Sequence, residues 1–229
     1  MPKISETKGR KDENSGYSRL FGNQDLGHLI SRTHATVIRT GTRLEHIIEE
    51  ATELSIVCDY RNILNDIRKR SVPVKKQIVF QYRNSATKTR KGGTIDILIF
   101  DHEEKRVLLI ELKDGDTFDT KKSSGELDNL VYLASAIQLE TEYKAEFFFC
   151  SFNQNDKGAI VRGAKNRFSI EHAMTGRELS ELLEIDYVRI CEKRNSEQQE
   201  NAEYFLEELI KIPLIKGIII NIMKREKMK

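Results

Sequence analysis

Residues 94–116 read TIDILIFDHEEKRVLLIELKDGD. The stretch divides into two apolar runs, 94–101 and 105–113, around the polar turn His102-Glu103-Glu104. β-Branched and aromatic residues bounded by a turn predict two hairpin strands. Their near-continuous hydrophobicity implies that both strand faces are covered. Three charges interrupt the runs: Asp96, Glu111 and Lys113. A charge inside a strand is costly unless it meets a partner. Residues two apart on a strand share a face, so Glu111 and Lys113 point one way and Leu112 the other. Hairpin pairing would lay Asp96 beside Glu111. Two readings follow. Lys113 could form a structural salt bridge with either acid. Alternatively, the two repelling carboxylates await a divalent cation. Hard oxygen ligands suit Mg2+, which takes one or two carboxylates together with waters and phosphate oxygens. Such an ion polarises a phosphate and helps ionise water. Lys113 would then orient or deprotonate the attacking water, or stabilise the pentavalent transition state.

The flanking sequence supplies a setting for the hairpin. Upstream, Leu44, Ile47, Ile48, Ala51 and Leu54 recur at helical spacing, with Gly41 and Thr42 as a break and cap before them. Pro73 ends the helical region, and KKQIVFQYR (75–83) reads as a strand. Downstream, a helix is predicted over about 122–142, its apolar face formed by Leu127, Leu130, Val131, Ala134 and Ile137. AEFFFCSF (145–152) is a further strand, and a strand, crossover helix, strand order predicts parallel pairing. Thr175 with Glu178 makes a capping box for a helix over 175–185, and 195–212 is a second amphipathic helix. The order predicts an α/β fold: a central mixed β-sheet flanked by helices, with an added helical C-terminal part. The expected division is an N-terminal arm and helix over 1–40, a core over 41–170 and a helical region over 171–229. That last region would pack on the core or form a dimer surface, and its apolar run 212–223 suits either role.

Composition narrows the class. The 229 residues are 38% hydrophobic and 32% charged, as expected of a globular domain. Lys and Arg number 38 against 36 Asp and Glu, so the net charge of +2 argues against a polycationic DNA coat but leaves room for local basic stripes. Cys58, Cys150 and Cys191 form no CxxC pair, which suits a reducing cytoplasm. No secretory h-region follows the start, and the run 212–223 contains Lys216 and is too short to span a bilayer. None of His28, His34, His46, His102 and His172 has helical zinc-site spacing, and no GxSxG or phosphate loop is present.

Asp96, a long gap and then Glu111-Leu112-Lys113, on adjacent strands behind a helix, resembles the PD-(D/E)xK nuclease superfamily. Ile95 stands where the motif name has proline. The resemblance covers about 41–152 and implies the αβββαβ core of restriction-endonuclease-like proteins. It implies Asp96, Glu111 and Lys113 as catalytic residues, with Mg2+ held by Asp96, Glu111 and the Leu112 position. Gly41-x-x-x-Glu45 is similar to a helix motif of some members, which implies Glu45 as a further site acid, with Glu49 one turn along as the alternative. Both could instead be plain exposed helix acids. Chain size and the segment ELKDGDTFDTKKSSGE resemble type II restriction endonucleases. That implies site-specific, Mg-dependent cleavage of double-stranded DNA to 5′-phosphate and 3′-hydroxyl ends, a homodimer on a palindromic site, and a cognate DNA methyltransferase acting on the same sequence. A repair or recombination nuclease of the superfamily, or a non-catalytic DNA-binding module, is the alternative.

Basic and amide side chains are placed to meet DNA. Arg83, Asn84, Lys88, Arg90 and Lys91 lie in a loop before the first hairpin strand, and Lys121, Lys122 and Ser123 lie at a helix N-terminus, a natural phosphate seat. The same residues would serve as an ordinary solvated loop. Asp116 and Asp119 read as turn and cap residues or as contacts to a second metal or to cytosine, and KGAIVRGAKNRF (157–168) as a basic loop on the backbone.

Overall fold

In the computed structural model the described residues are 2–9, 15–80, 95–115 and 120–227, of which 120–124 are described by their backbone alone. The chain forms two compact units, Leu44–Tyr187 and Met1–Arg43 with Val188–Lys229.

The first unit is built on a six-stranded sheet in simple chain order: β1 (Ser55–Ile56), β2 (Lys76–Phe80), β3 (Ile97–Asp101), β4 (Arg106–Lys113), β5 (Lys144–Ser151) and β6 (Ala173–Thr175). β2, β3 and β4 are antiparallel neighbours, while β1 joins β2, β5 joins β4 and β6 joins β5 in parallel. The predicted hairpin and the predicted parallel pairing across the crossover helix are both present. β1 and β6 carry two and three residues, too few for a period-2 pattern to show in the sequence.

Side-chain alternation sorts the sheet into two faces. Val79, Leu98, Phe100, Val107, Leu109 and Phe149 pack in one cluster with Ile63 and Leu64 of α3 (Tyr60–Arg68), Leu130, Leu133, Ala134 and Ile137 of α4 (Thr120–Glu140) and Ile160 of α5 (Lys157–Gly163). The opposite set, Ile78, Phe80, Ile97, Ile99, Leu108 and Ile110, is equally buried, so this face is covered too. His102 ties the hairpin turn down: its ring nitrogens lie 2.9 Å from Gln77 Oε1 and 2.9 Å from the Tyr143 hydroxyl.

Three local expectations need correction. The helix before the sheet does not begin at Thr42; α2 runs unbroken over Gln24–Ala51. Gly41 and Thr42 are interior residues of this helix, and Thr33, Thr36 and Thr40 turn their hydroxyls back onto the carbonyls of Leu29, Arg32 and Val37. Segment 157–168 is not a loop, because α5 occupies its first half, capped by Asp156. On α4, Val131 is exposed and Leu133 is buried in its place.

In the second unit residues 2–9 are held by hydrogen bonds. The Ile4 N–H donates to Asn201 Oδ1 at 2.8 Å, and Arg32 reaches the Ile4 carbonyl at 2.9 Å and the Tyr204 hydroxyl at 2.7 Å. Leu26, Leu29 and Ile212 form a small core with Phe205, Leu209 and Ile215. α7 spans Tyr187–Lys211 and α8 spans Pro213–Glu226. The run 212–223 buries Ile212 but leaves Leu214, Ile218, Ile220, Ile222 and Met223 exposed. Among the described residues no helix is long and apolar enough to cross a membrane.

The last strand and its helix are fastened beside the end of β5. Thr175 and Glu178 cap α6 (Gly176–Leu182) reciprocally, as the sequence predicted. A Cβ on Gly176 would stand 2.1 Å from the Phe152 carbonyl oxygen, and the Phe152 N–H donates to the Lys113 carbonyl at 2.9 Å. Loss of the cap in Thr175→Ala should cost about 1 kcal/mol. Gly176→Ala, pressed against backbone, should cost about 1–3 kcal/mol and at least as much as the cap. Urea unfolding of both variants checks the order; a smaller loss at Gly176 would contradict the close packing there.

Candidate active site

The row of side chains that packs against α4 turns from apolar to charged at one end. On β4 it runs Val107, Leu109, Glu111, Lys113, and on β3 Phe100, Leu98 and then Asp96 just before the strand. Ile97 pairs with Ile110, so one further step of the antiparallel register sets Asp96 opposite Glu111 on the same face. The charges thus sit where the apolar layer stops, which is how they enter the strands without disrupting the core.

Asp96 Oδ2 accepts the Leu112 N–H at 2.7 Å. The Lys105 and Lys113 carbonyls accept from the Lys144 and Phe152 N–H groups on the β5 side, so Leu112, out of phase with them, turns its N–H and C=O to the β3 side. Its carbonyl therefore shares the edge that carries Asp96. Lys113 Nζ donates to Glu111 Oε1 and, at 3.0 Å, to Glu126 Oε1 of α4.

The electrostatics show a surplus of acid. Glu111 is buried, and burial first, then the Asp96 charge, raise its pKa against the pull of Lys113. Burial likewise raises Asp96 against the Lys113 ammonium and the Leu112 N–H. Glu45 on α2 is pushed up to about 8, by burial and then by the Asp96 charge, with Lys113 opposing. Burial pulls Lys113 down, yet Glu111 and Asp96 carry it above its ordinary value. An added positive charge is what would return these carboxyls to their usual range.

Of the residues singled out in the sequence, Asp96, Glu111 and Lys113 come together, and Glu45 lies close enough to feel the charges of Asp96 and Lys113. Glu49 is buried on the same helix. Arg83, Asn84, Lys88, Arg90, Lys91, Asp116 and Asp119 lie outside the described residues, as do the side chains of Lys121, Lys122 and Ser123. Glu126 escaped the sequence reading. It stands four, seven, eight and eleven residues before Leu130, Leu133, Ala134 and Ile137, so it extends the buried stripe of α4 by one turn. A glutamate in line with such a stripe was the signal.

Among the described residues no three His, Cys, Asp or Glu side chains are placed to hold a metal ion. The donor set nonetheless fits one hard divalent cation of the Mg2+ type, which asks for no more than one or two carboxylates. Asp96 and Glu111 supply those from one sheet face, and the Leu112 carbonyl is turned to the same edge.

No protein family model matches the chain, and no solved structure does. A curated relative does: the type II restriction enzyme HhaII of Haemophilus parahaemolyticus is 41% identical, over 94% of this chain and 97% of its own length. Likeness of that degree over nearly the whole of both chains, together with a charged cluster at the end of a mixed sheet, places this chain in the family of type II restriction enzymes.

Proposed function

We propose that the chain is a PD-(D/E)xK endonuclease that hydrolyses a phosphodiester bond in each strand of a specific double-stranded DNA site. The convergence of Asp96, Glu111 and Lys113 on one face, beside Glu45, carries this reading. Asp96, Glu111 and the Leu112 carbonyl would hold Mg2+, which when bound polarises the phosphate and lowers the pKa of water. Lys113 orients the attacking water or steadies the charge that builds on the phosphorane oxygens. Its raised pKa favours the ammonium, so orientation and charge stabilisation are the better supported of its roles. Glu45 adds negative charge behind Asp96 and strengthens the pull on a cation. Products carry 5′-phosphate and 3′-hydroxyl ends.

Two copies act on a palindromic site, since one active centre serves each strand. The exposed Leu214, Ile218, Ile220, Ile222 and Met223 of α8 support that pairing. The residues at 83–91 and 121–123 supply phosphate and base contacts. A methyltransferase of the same specificity protects the host DNA.

Two predictions follow from the geometry. Incubated with unmethylated phage DNA, the protein should give discrete bands with Mg2+ and none with chelator; Lys113→Ala should cut at least roughly 100-fold more slowly while binding DNA normally. A smear, or undiminished cutting by Lys113→Ala, would contradict the assignment. The second concerns pH. The site acids titrate above the ordinary carboxylate range, and only their ionised forms bind metal, so protons compete with Mg2+ as pH falls. The Mg2+ concentration for half-maximal cleavage should rise from pH 8 to pH 6. A value independent of pH would place the metal elsewhere.

A further inference from the structure

Lys113 has a second carboxylate partner that the motif does not include. Glu126 Oε1 accepts from Lys113 Nζ at 3.0 Å, and both side chains are largely shielded, at 29% and 21% exposure. Glu126 is brought there by the helix rather than by chance of a long side chain. It lies on the stripe of α4 that packs against the sheet, in line with Leu130, Leu133, Ala134 and Ile137. A glutamate on a core-facing stripe is unfavourable unless a charged partner compensates it. It also stands well past the first turn of α4, beyond the reach of the helix dipole. Lys113 is therefore the group that holds it there.

From this arrangement we infer that Glu126 is a positioning residue: it keeps the Lys113 ammonium at the site when Glu111 gives its carboxylate to a cation. The inference rests on the catalytic reading of Glu111 and Lys113 above. Among the described residues the carboxylates that hydrogen-bond the ammonium are Glu111 and Glu126. A carboxylate drawn to a divalent cation has less negative charge to offer an ammonium, and the cation repels that ammonium. With Glu111 alone, Lys113 would be displaced at the moment it is needed. With Glu126, the ammonium keeps one charged hydrogen bond, anchored on a different element from the metal-binding strand. The four-carbon stem of lysine otherwise carries considerable rotamer freedom, and a fixed partner removes it.

The test uses the full-length protein with Glu126→Ala, Glu126→Gln and Glu126→Asp. DNA affinity, measured with Ca2+ replacing Mg2+, should stay within about twofold, while the single-turnover cleavage rate constant falls about 10–100-fold in Glu126→Ala. Glu126→Asp should recover part of the loss. A metal-free readout is the urea midpoint in a double-mutant cycle of Glu126→Gln with Lys113→Met. If Glu126 acts through Lys113 the two changes are non-additive. Normal cleavage by Glu126→Ala or Glu126→Gln, or additive midpoints, would overturn the inference while Lys113→Ala remained inactive. If Lys113→Ala itself cut normally, the catalytic reading beneath it would fall instead.

Discussion

The site depends on the register between β3 and β4. Ile97 against Ile110 sets Asp96 opposite Glu111, and the two-residue period of β4 then brings Lys113 onto the same face. A slip of one residue would send these charges to opposite sides of the sheet. The register is held by what lies inboard of the site. Leu98, Phe100, Val107 and Leu109 pack with α4 on one side, and Ile97, Ile99, Leu108 and Ile110 are buried on the other. A one-residue slip would turn the buried set of the slipping strand to the wrong face. His102 at the turn, held by Gln77 and Tyr143, pins the far end of the hairpin.

A core of this kind tolerates charge where it ends, and the site sits at that boundary. The Lys113 ammonium is shared between two carboxylates, while burial holds Asp96, Glu111 and Glu45 above their ordinary titration range and the Asp96 charge adds to this at Glu111 and Glu45. A structural salt bridge would be better served by one acid and one base. An excess of buried acid opposite an ammonium supports the proposed binding of a cation and a phosphate there, at a cost to the empty fold. The relative among the type II restriction enzymes gives that pattern its context.

Much of this was legible in the residues. The hairpin, the crossover helix, the parallel return strand and the Thr175 capping box all follow from periodicity and turn chemistry, and the Asp96, Glu111 and Lys113 cluster follows from strand alternation. What was missed has physical causes. β1 and β6 are too short to have a period, and α5 hides between glycines in a basic segment. The start of α2 was misplaced because Gly41 and Thr42, which have the residue types of a break and a cap, lie inside one continuous helix. Glu126 was lost through a small error of angle. Counting Leu127 and Val131 with Leu130, Ala134 and Ile137 rotates the α4 stripe away from it, whereas Leu133 in place of Val131 brings it into line.

The claim that the cluster serves chemistry rather than folding is tested most directly by the stability of the metal-free chain with Glu111→Gln. Raised carboxyl pKa values mean that the folded chain keeps protons the unfolded chain releases. The contribution of these carboxyls to the stability of the wild type should therefore be fullest below the unfolded carboxylate pKa near 4 and should be lost as pH rises toward about 8. Glu111→Gln removes one charge from the cluster and leaves Lys113 paired with Glu126. The account predicts a urea midpoint for Glu111→Gln at pH 8 equal to or above that of the wild type, with a shallower decline from pH 5. A midpoint well below the wild type at pH 8 would show that Glu111 and Lys113 form a stabilising salt bridge, and would contradict the account.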